Sequence, residues 1–413
     1  MKHTFHVPGV SSTETNENYF GCPFTSGIFN LITAMVTDDC EVIHYCNHGS
    51  DTPATDIFVT DPGFLQVLGT EHNTQYHSSY KSEHWERVRR DFSIACAAHI
   101  RKYVKEGDFV LLPSDGVQDV VSFLQDIPGI KFVETNIGYP DPVAEFRIFE
   151  SHTWRASWRA RAERTLDIYK TLTHNHEHRK SHDDAHGHSH GQSDPPPMFY
   201  NANIMVPVVE PRRVLDTVIF PIVDVANLVS KEKSRDDYFL YLGRIIQSKG
   251  IKDAIELTEI LEKKLVVAGP GRFEDEFKDF DEGLPKHVEF IGMANKDKRD
   301  SLLSRASCLL ALTRYSEPYG YIVPEAGAFE CPVITSDTGG FTETVTEGVN
   351  GFTGGCMAEW VEKAGMIDSL DPAAIRKHAE NRFSAEALYP KYKAFWRRID
   401  GYFDNDKNET FTY

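Results

Sequence analysis

The segment YFLYLGRIIQSKG, residues 238–250, decides how the second half of this chain folds. It begins with five apolar or aromatic residues in a row, which predicts a strand buried on both faces, as in a parallel sheet covered by helices. Gly243 and Arg244 follow at once, and Lys249 lies five residues beyond the arginine. A glycine lets a ligand approach the backbone, and two cations can hold a diphosphate. Ordinary surface charges would give the same pairs, so this segment alone leaves both interpretations open.

The same pattern recurs along the chain and predicts its fold class. Helical patterns, such as that over residues 23–36, separate most of the apolar runs. These runs are KHTFHVPGV (2–10), EVIHYC (41–46), DFVLLP (108–113), IKFVET (130–135), KLVVAG (264–269), VEFIG (288–292), CLLALT (308–313) and CPVIT (331–335). A chain of 413 residues is too long for one core. We therefore predict an α/β protein with two parallel-sheet domains.

Glycines follow three consecutive predicted strands of the second half. Gly243 ends the first, Gly269 and Gly271 follow the second, and Gly292 ends the third. Open α/β sheets bind ligands at the carboxyl ends of their strands. These glycines therefore predict one ligand crevice at that edge of the sheet.

Composition argues against several classes of partner. The chain has 44 basic and 62 acidic residues, a net charge of −18, which argues against broad binding to nucleic acid or to anionic lipid. The seven cysteines lack metal-site spacing and fit a reducing compartment. We found neither a signal peptide nor a run of 18 apolar residues. The expectation is a cytoplasmic protein without stable membrane insertion.

The segment SEPYGYIVPE, residues 316–325, places two carboxylates around a bent turn. Seven residues separate Glu317 from Glu325, and Pro318 and Pro324 make a uniform helix between them unlikely because proline removes a backbone donor and clashes with the preceding turn. A further strand and the glycine pair of TGGFTETVTEGVNGF, residues 338–352, come next.

Together these elements resemble the nucleotide-sugar-binding half of the retaining glycosyltransferases of family 4. The resemblance covers residues 238–355 and includes two glutamates with seven residues between them, the GR and KG pairs and the closing glycine-rich segment, in the family's order. It implies the GT-B fold, in which two Rossmann-like domains face a central cleft and a C-terminal helix crosses back. It also implies transfer of a hexose from a nucleoside diphosphate to a hydroxyl with retained anomeric configuration.

The resemblance implies a role for each matching residue. Arg244 and Lys249 would neutralise the departing diphosphate, Glu317 would contact the transferred sugar, and Glu325 would bind the ribose hydroxyls. Fixed cations lower the barrier as the diphosphate leaves, so no metal or other cofactor is expected. The remaining expected donor contacts are Gly21, Gly243, Gly271, Gly292, Met293, Gly320, Tyr321 and Ile322.

The first half departs from the family's pattern. Gly21 is followed by Cys22 where relatives carry a double glycine, and Asn136 and Ile137 stand where many relatives have a histidine. His152 and Asp115 are weak candidates for acceptor contacts. The segment WRASWRARAERT, residues 154–165, is typical either of a helix that grips a phosphate-bearing acceptor or membrane, or of a packed helix with solvated arginines; the second is favoured.

Residues 174–197 are rich in histidine and almost free of apolar side chains. This composition favours a solvated loop over a metal site, because nothing would hold the ligands in place. Domain boundaries are predicted as 1–229 for the acceptor domain, 230–382 for the nucleotide-sugar domain and 383–413 for the terminal helix.

The expected donor is a nucleotide sugar of the GDP-mannose or UDP-glucose type. The acceptor would be a hydroxyl of a glycan, glycoprotein or other molecule, and no nucleic-acid partner is expected. An epimerase, a phosphorylase or a non-catalytic protein that binds nucleotide sugars or metal are the alternatives.

Overall fold

The computed structural model describes residues 3–17, 22–65, 83–162, 215–230, 234–273 and 283–408. The chain divides into two compact units. The larger unit comprises Met1–Trp154 and Leu215–Tyr413, and the smaller unit comprises Arg155–Val214. Of the smaller unit, residues 155–162 are described, and they are helical. Gly21 and the His-rich segment 174–197 lie outside the described residues.

The first half of the larger unit contains a seven-stranded sheet in which neighbouring strands run parallel. The order across it is β3-β2-β1-β4-β5-β6-β7. Its strands are β1 (Thr4–Pro8), β2 (Glu41–Cys46), β3 (Thr55–Phe58), β4 (Phe109–Leu112), β5 (Lys131–Ile137), β6 (Phe146–Phe149) and β7 (Leu215–Val218). The chain builds outward from β1 to β3 and then crosses to β4 on the other side of β1, so the strand order reverses between β1 and β4.

A six-stranded sheet with the same construction forms the second half. Its order is β10-β9-β8-β11-β12-β13, and all its pairs are parallel. The strands are β8 (Tyr238–Leu242), β9 (Lys264–Ala268), β10 (Val288–Phe290), β11 (Cys308–Ala311), β12 (Val333–Ser336) and β13 (Gly351–Gly354). The predicted α/β class with two parallel-sheet domains is confirmed.

Helices connect the strands and cover the sheets. They are α1 (Pro23–Thr37), α2 (Glu83–Tyr103), α3 (Asp119–Leu124), α4 (Ile251–Ile260), α5 (Lys296–Arg305), α6 (Ile322–Ala328), α7 (Phe341–Thr344), α8 (Met357–Ala364), α9 (Pro372–Phe383) and α10 (Ala385–Asn408). Local chemistry sets several starts: α1 opens on Pro23, whose missing donor costs nothing in a first turn, and the Asp371 carboxylate caps α9 by accepting from the Ala373 N–H. Among the helices of the described ranges, none is long and apolar enough to cross a membrane.

Four strands, β3, β6, β7 and β13, were absent from the sequence prediction. Each has four residues. Polar residues or glycine interrupt the apolar character of all four strands. In addition, β3, β7 and β13 are edge strands, which pair with another strand on one side only and therefore need no continuous run of apolar residues.

The C-terminal helix α10 returns to the first sheet, as the predicted fold requires. Its apolar face joins the core formed by β1, β4 and α1, and Trp396 contacts the rings of Phe5 and Phe109 with centroids 5.8 and 5.7 Å away. This face comprises Leu388, Tyr389, Tyr392, Phe395, Trp396 and Ile399. A helix that follows the second sheet in the chain thus completes the core of the first.

Candidate active site

A cavity of about 460 Å³ lies at the carboxyl ends of β8, β9 and β11, where the order of the second sheet reverses. Residues of the first half, including Phe24, Gly138 and Glu150, also line it. Of the predicted site residues, the cavity is lined by Gly243, Arg244, Lys249, Met293, Glu317, Gly320, Tyr321, Ile322 and Glu325. The predicted crevice at this edge therefore exists, and its lining combines both sheets.

Lys249 reaches the cavity from the connection that follows β8. This connection ends in a short 3-10 helix, Gln247–Lys249, which Gly250 terminates in the left-handed conformation. The Lys249 Nζ lies 2.8 Å from Oε2 of Glu317 and 4.9 Å from the centre of the Tyr315 ring. Arg244 lines the same cavity. Two cations thus lie where strand β8 ends.

Glu317 is held by contacts to both its side chain and its backbone. Its Oε2 accepts a hydrogen bond of 2.5 Å from the Tyr315 hydroxyl in addition to the Lys249 ion pair. Its carbonyl oxygen accepts from the Gly340 N–H at 2.7 Å. The glycine pair of the closing segment therefore packs against the backbone of Glu317, while Lys249 and Tyr315 hold its carboxylate.

Glu325 lies in the first turn of α6 and pairs with Arg299 of α5. Burial raises the pKa of the Glu325 carboxyl, and the adjacent guanidinium opposes that rise. The sequence analysis missed Arg299, because one arginine in the polar helix KDKRDSLLSR carries no signal of a partner in α6. Arg299 lines the cavity too, so this wall offers a carboxylate with its orienting cation.

Gly320 brings the segment 316–325 close to helix α7. It has a φ of +84°, and a Cβ at this position would overlap the buried ring of Phe341. L-residues avoid this backbone region, and the ring would have to move as well.

Replacing Gly320 with alanine is expected to lower the free energy of unfolding by about 2 to 4 kcal/mol because strain and overlap add. Thermal melting followed by circular dichroism measures the change. Gly401→Ala in α10 is the control, since a Cβ there meets nothing within 4 Å and alanine favours helix. Equal melting temperatures for the two variants would contradict the packing argument.

The other predicted site residues lie elsewhere. Gly271 and Gly292 follow their strands in left-handed conformations but do not line the cavity. Asp115 opens the 3-10 helix Asp115–Val117 after β4. His152 donates its backbone N–H to the Glu343 carboxylate at 2.9 Å. His152 does not line the cavity.

Glu343 joins the two halves of the larger unit. Its Oε1 accepts from the N–H and the hydroxyl of Thr153, each at 2.7 Å, while its Oε2 accepts from His152. The Ser151 hydroxyl also donates to the Pro318 carbonyl at 2.5 Å. The segment after β6 is thus bound to the segment that carries Glu317.

Glu150 is the second cavity residue that the sequence analysis missed. It directly follows β6, is 4% exposed and accepts a hydrogen bond of 3.1 Å from the Tyr321 hydroxyl. Burial, reinforced by the negative charge of Glu317 but opposed by the Tyr321 hydrogen bond, raises the pKa of its carboxyl to about 8. A charged residue directly after the segment FRIF was the available signal, but Arg147 interrupts the apolar character of that segment and it was not identified as a strand.

One cluster elsewhere in the described residues offers three metal-ligand types, namely His44, Cys46 and Asp56. His44 Nδ1 lies 2.8 Å from the Asp56 carboxylate, which also accepts from the N–H and hydroxyl of Thr52. These hydrogen bonds account for the Asp56 carboxylate without a metal.

Comparison with known proteins adds to this geometry. Residues 227–363 match the family described as Glycosyl transferases group 1. An uncharacterized glycosyltransferase of Methanocaldococcus jannaschii is 36% identical over 118 residues, which are 27% of this chain and 30% of that protein. The chain thus matches about a third of the length of this curated relative.

Solved structures resemble the whole chain. Sucrose-phosphate synthase from Thermosynechococcus elongatus superimposes with a TM-score of 0.63 at 14% identity, covering 97% of this chain and 99% of that one. An Anabaena protein in complex with UDP-glucose gives 0.54 at 14% identity, covering 97% and 99%. At these identities the likeness establishes the fold. The chain has the GT-B fold, and its residues 227–363 are similar to the domain described as Glycosyl transferases group 1.

Proposed function

We propose that this protein is a retaining glycosyltransferase that moves a hexose from a nucleoside diphosphate to an acceptor hydroxyl. The observation that carries the proposal is the grouping of Arg244, Lys249, Glu317 and Glu325 in one cavity at the reversal point of the second sheet. The family match over residues 227–363 and the UDP-glucose bound to the Anabaena protein support it.

The cations act on the diphosphate. As the bond between the sugar C1 and the diphosphate oxygen breaks, negative charge grows on the leaving group, and Arg244 and Lys249 stabilise it. The Lys249 Nζ lies 2.8 Å from the Glu317 carboxylate, which neutralises part of its positive charge. The remaining charge acts on the donor diphosphate. These side chains take the role a metal ion would play, and we propose that the reaction needs neither metal nor cofactor.

The carboxylates act on the two ends of the donor. Glu325, oriented by Arg299, accepts hydrogen bonds from the ribose hydroxyls. Glu317 faces the transferred sugar, whose ring gains positive charge in an oxocarbenium-like transition state. The acceptor oxygen forms its bond to C1 on the face the diphosphate leaves, and the acceptor proton passes to the departing diphosphate. The anomeric configuration is thereby retained.

The proposed donor and acceptor classes are those expected for a cavity that binds a nucleotide sugar. GDP-mannose and UDP-glucose are the proposed donor types, with Met293 next to the base. The acceptor is a hydroxyl of a glycan, a glycoprotein or another molecule. The proposed site of reaction is the cytoplasm.

Calorimetric titration with UDP, GDP and ADP in the presence of EDTA tests this function. We expect one nucleotide to bind with a Kd of about 1 to 100 μM, because the cations contact the diphosphate directly. Release of free hexose from the matching nucleotide sugar, again with EDTA, then measures turnover. Binding of none of the three would overturn the proposed function, and binding or turnover that EDTA abolishes would overturn its independence from metal.

A further inference from the structure

Glu150 is a buried carboxyl in the donor cavity for which the proposed reaction has no role yet. It comes from the first sheet, whereas the other carboxyls of the cavity, Glu317 and Glu325, come from the second half. A buried carboxyl normally costs stability unless its hydrogen bonds are satisfied. One oxygen, Oε1, accepts from the Tyr321 hydroxyl at 3.1 Å.

The second oxygen, Oε2, lies against the backbone of Gly138. A Cβ at position 138 would overlap this oxygen and would also come within 3.2 Å of the Pro318 Cβ, so glycine is needed there. Gly138 and Tyr321 therefore hold the carboxyl between them. Its place in the cavity wall is fixed by packing from both halves of the protein.

The titratable groups that face Glu150 are acidic or phenolic. They are Glu317, Tyr319 and Tyr321 from the segment 316–325, and Tyr392 from α10. Burial, with the negative charge of Glu317 and against the Tyr321 hydrogen bond, raises the pKa of the Glu150 carboxyl to about 8. At neutral pH the carboxyl thus carries its proton and can donate a hydrogen bond, which an ionised carboxylate cannot do.

Resting on the proposed function, we propose that Glu150 contacts the transferred sugar and donates its carboxyl O–H to a sugar oxygen, and that the neighbouring Glu317 carboxylate makes this part of the cavity select neutral hexoses over hexuronic acids. The selection follows from charge. A uronate carboxylate beside the neutral Glu150 would be repelled by the Glu317 carboxylate of the same cavity, while Arg244 and Lys249 are engaged by the diphosphate. A neutral hydroxyl is not repelled.

The matched variants are Glu150→Gln and Glu150→Ala. Glutamine keeps an acceptor for Tyr321 and a donor for the sugar, so it imitates the protonated acid; alanine keeps neither. With UDP and UDP-glucose as probes, all three proteins are expected to bind UDP equally. At pH 7, kcat/KM for release of glucose should stay within about threefold of wild type in Glu150→Gln and fall roughly 10- to 100-fold in Glu150→Ala.

The pH profile distinguishes this role from a structural one. Because the active form is the protonated acid, wild-type kcat/KM should fall as pH rises through about 8, approaching a tenfold loss per pH unit. The profile of Glu150→Gln should be flat over the same range because its amide does not titrate. A fall of equal size in both proteins would overturn the assignment.

Tyr321→Phe removes the partner of Glu150 but leaves the acid. We expect its loss of kcat/KM to be smaller than that of Glu150→Ala and its alkaline fall to persist. An equal loss in both would mean that Glu150 acts through Tyr321 and would overturn the direct contact. Melting temperatures confirm that each variant folds.

Replacing UDP-glucose with UDP-glucuronate tests the selection of neutral sugars. The expected kcat/KM for the glucuronate is at least about 100-fold lower, and comparable values would overturn the proposal. If the protein binds GDP and not UDP, the two donors compared are GDP-mannose and GDP-mannuronate. If the wild type binds the nucleotide and Glu150→Ala turns over normally, this inference alone is wrong. If the wild type binds no nucleotide, the proposed function is wrong.

Discussion

Replacing Lys249 with alanine is expected to weaken binding of the nucleoside diphosphate by about 30- to 150-fold. A charge-assisted hydrogen bond to a phosphate contributes about 2 to 3 kcal/mol, which corresponds to that factor. The deletion also leaves the Glu317 carboxylate, 2.8 Å from the lost Nζ, without its cation and next to the incoming diphosphate. Both effects weaken binding. Calorimetry with the nucleotide that the wild type binds measures the loss.

The control for this variant is Lys264→Ala. Lys264 also pairs with a glutamate, Glu289 at 2.6 Å, but both side chains are about half exposed and neither lines the cavity. An exposed ion pair contributes little, so affinity and melting temperature should stay near wild type. A Lys249→Ala protein that melts normally and binds the nucleotide as tightly as the control would refute the diphosphate assignment.

Changing Glu317 to glutamine should separate binding from turnover. Turnover is expected to fall by about 100- to 1,000-fold, because the negative charge beside the developing positive charge of the sugar is lost. Binding of the nucleoside diphosphate should stay equal or become tighter, since Lys249 no longer shares its charge with a carboxylate. The same substitution therefore lowers turnover without weakening nucleotide binding. Hexose release and calorimetry record them.

Glu289→Gln is the matched control, as it removes a surface carboxylate from a lysine outside the cavity. It should change neither measurement. If Glu317→Gln weakened nucleotide binding and left turnover of bound donor unchanged, Glu317 would be a donor-binding group without a role in the chemical step. A loss of turnover without a loss of nucleotide binding distinguishes the catalytic role.

The strand ends of the second half were predictable because each strand carries its own signal. A buried parallel strand needs an apolar run, and its carboxyl end needs residues that let a ligand approach. Residues 238–250 contain both in a contiguous stretch, and residues 316–325 follow the apolar run CLLALT (308–313) and match the second motif of the family that the chain resembles. Lys249 and Glu317 could therefore be placed in one crevice, although they lie 68 positions apart in the chain.

Arg299 and Glu150 show what such patterns cannot predict. Arg299 lies in a polar helix, and its role in the site comes from its pairing with Glu325, 26 residues away in α6. Glu150 follows a four-residue strand of the other sheet and meets Tyr321 across 171 residues. Neither contact has a local period or spacing, because it depends on how separate elements pack. The elevated pKa of Glu150 likewise comes from burial by distant segments.

The sequence by itself determined the α/β class, the two parallel sheets and the candidate residues of the diphosphate and sugar contacts. The class and the sheets follow from short-range rules, since periodicity, glycine position and residue type act within one element, whereas the roles of the candidate residues were implied by the resemblance of residues 238–355 to the family 4 glycosyltransferases. Only the tertiary structure decided that Glu317 is paired with Lys249, that Glu343 binds the segment after β6, and that a carboxyl of the first sheet enters the cavity of the second. The physical reason is that hydrogen bonds, burial and charge interactions depend on distance in space, which the folded chain sets and its local patterns do not.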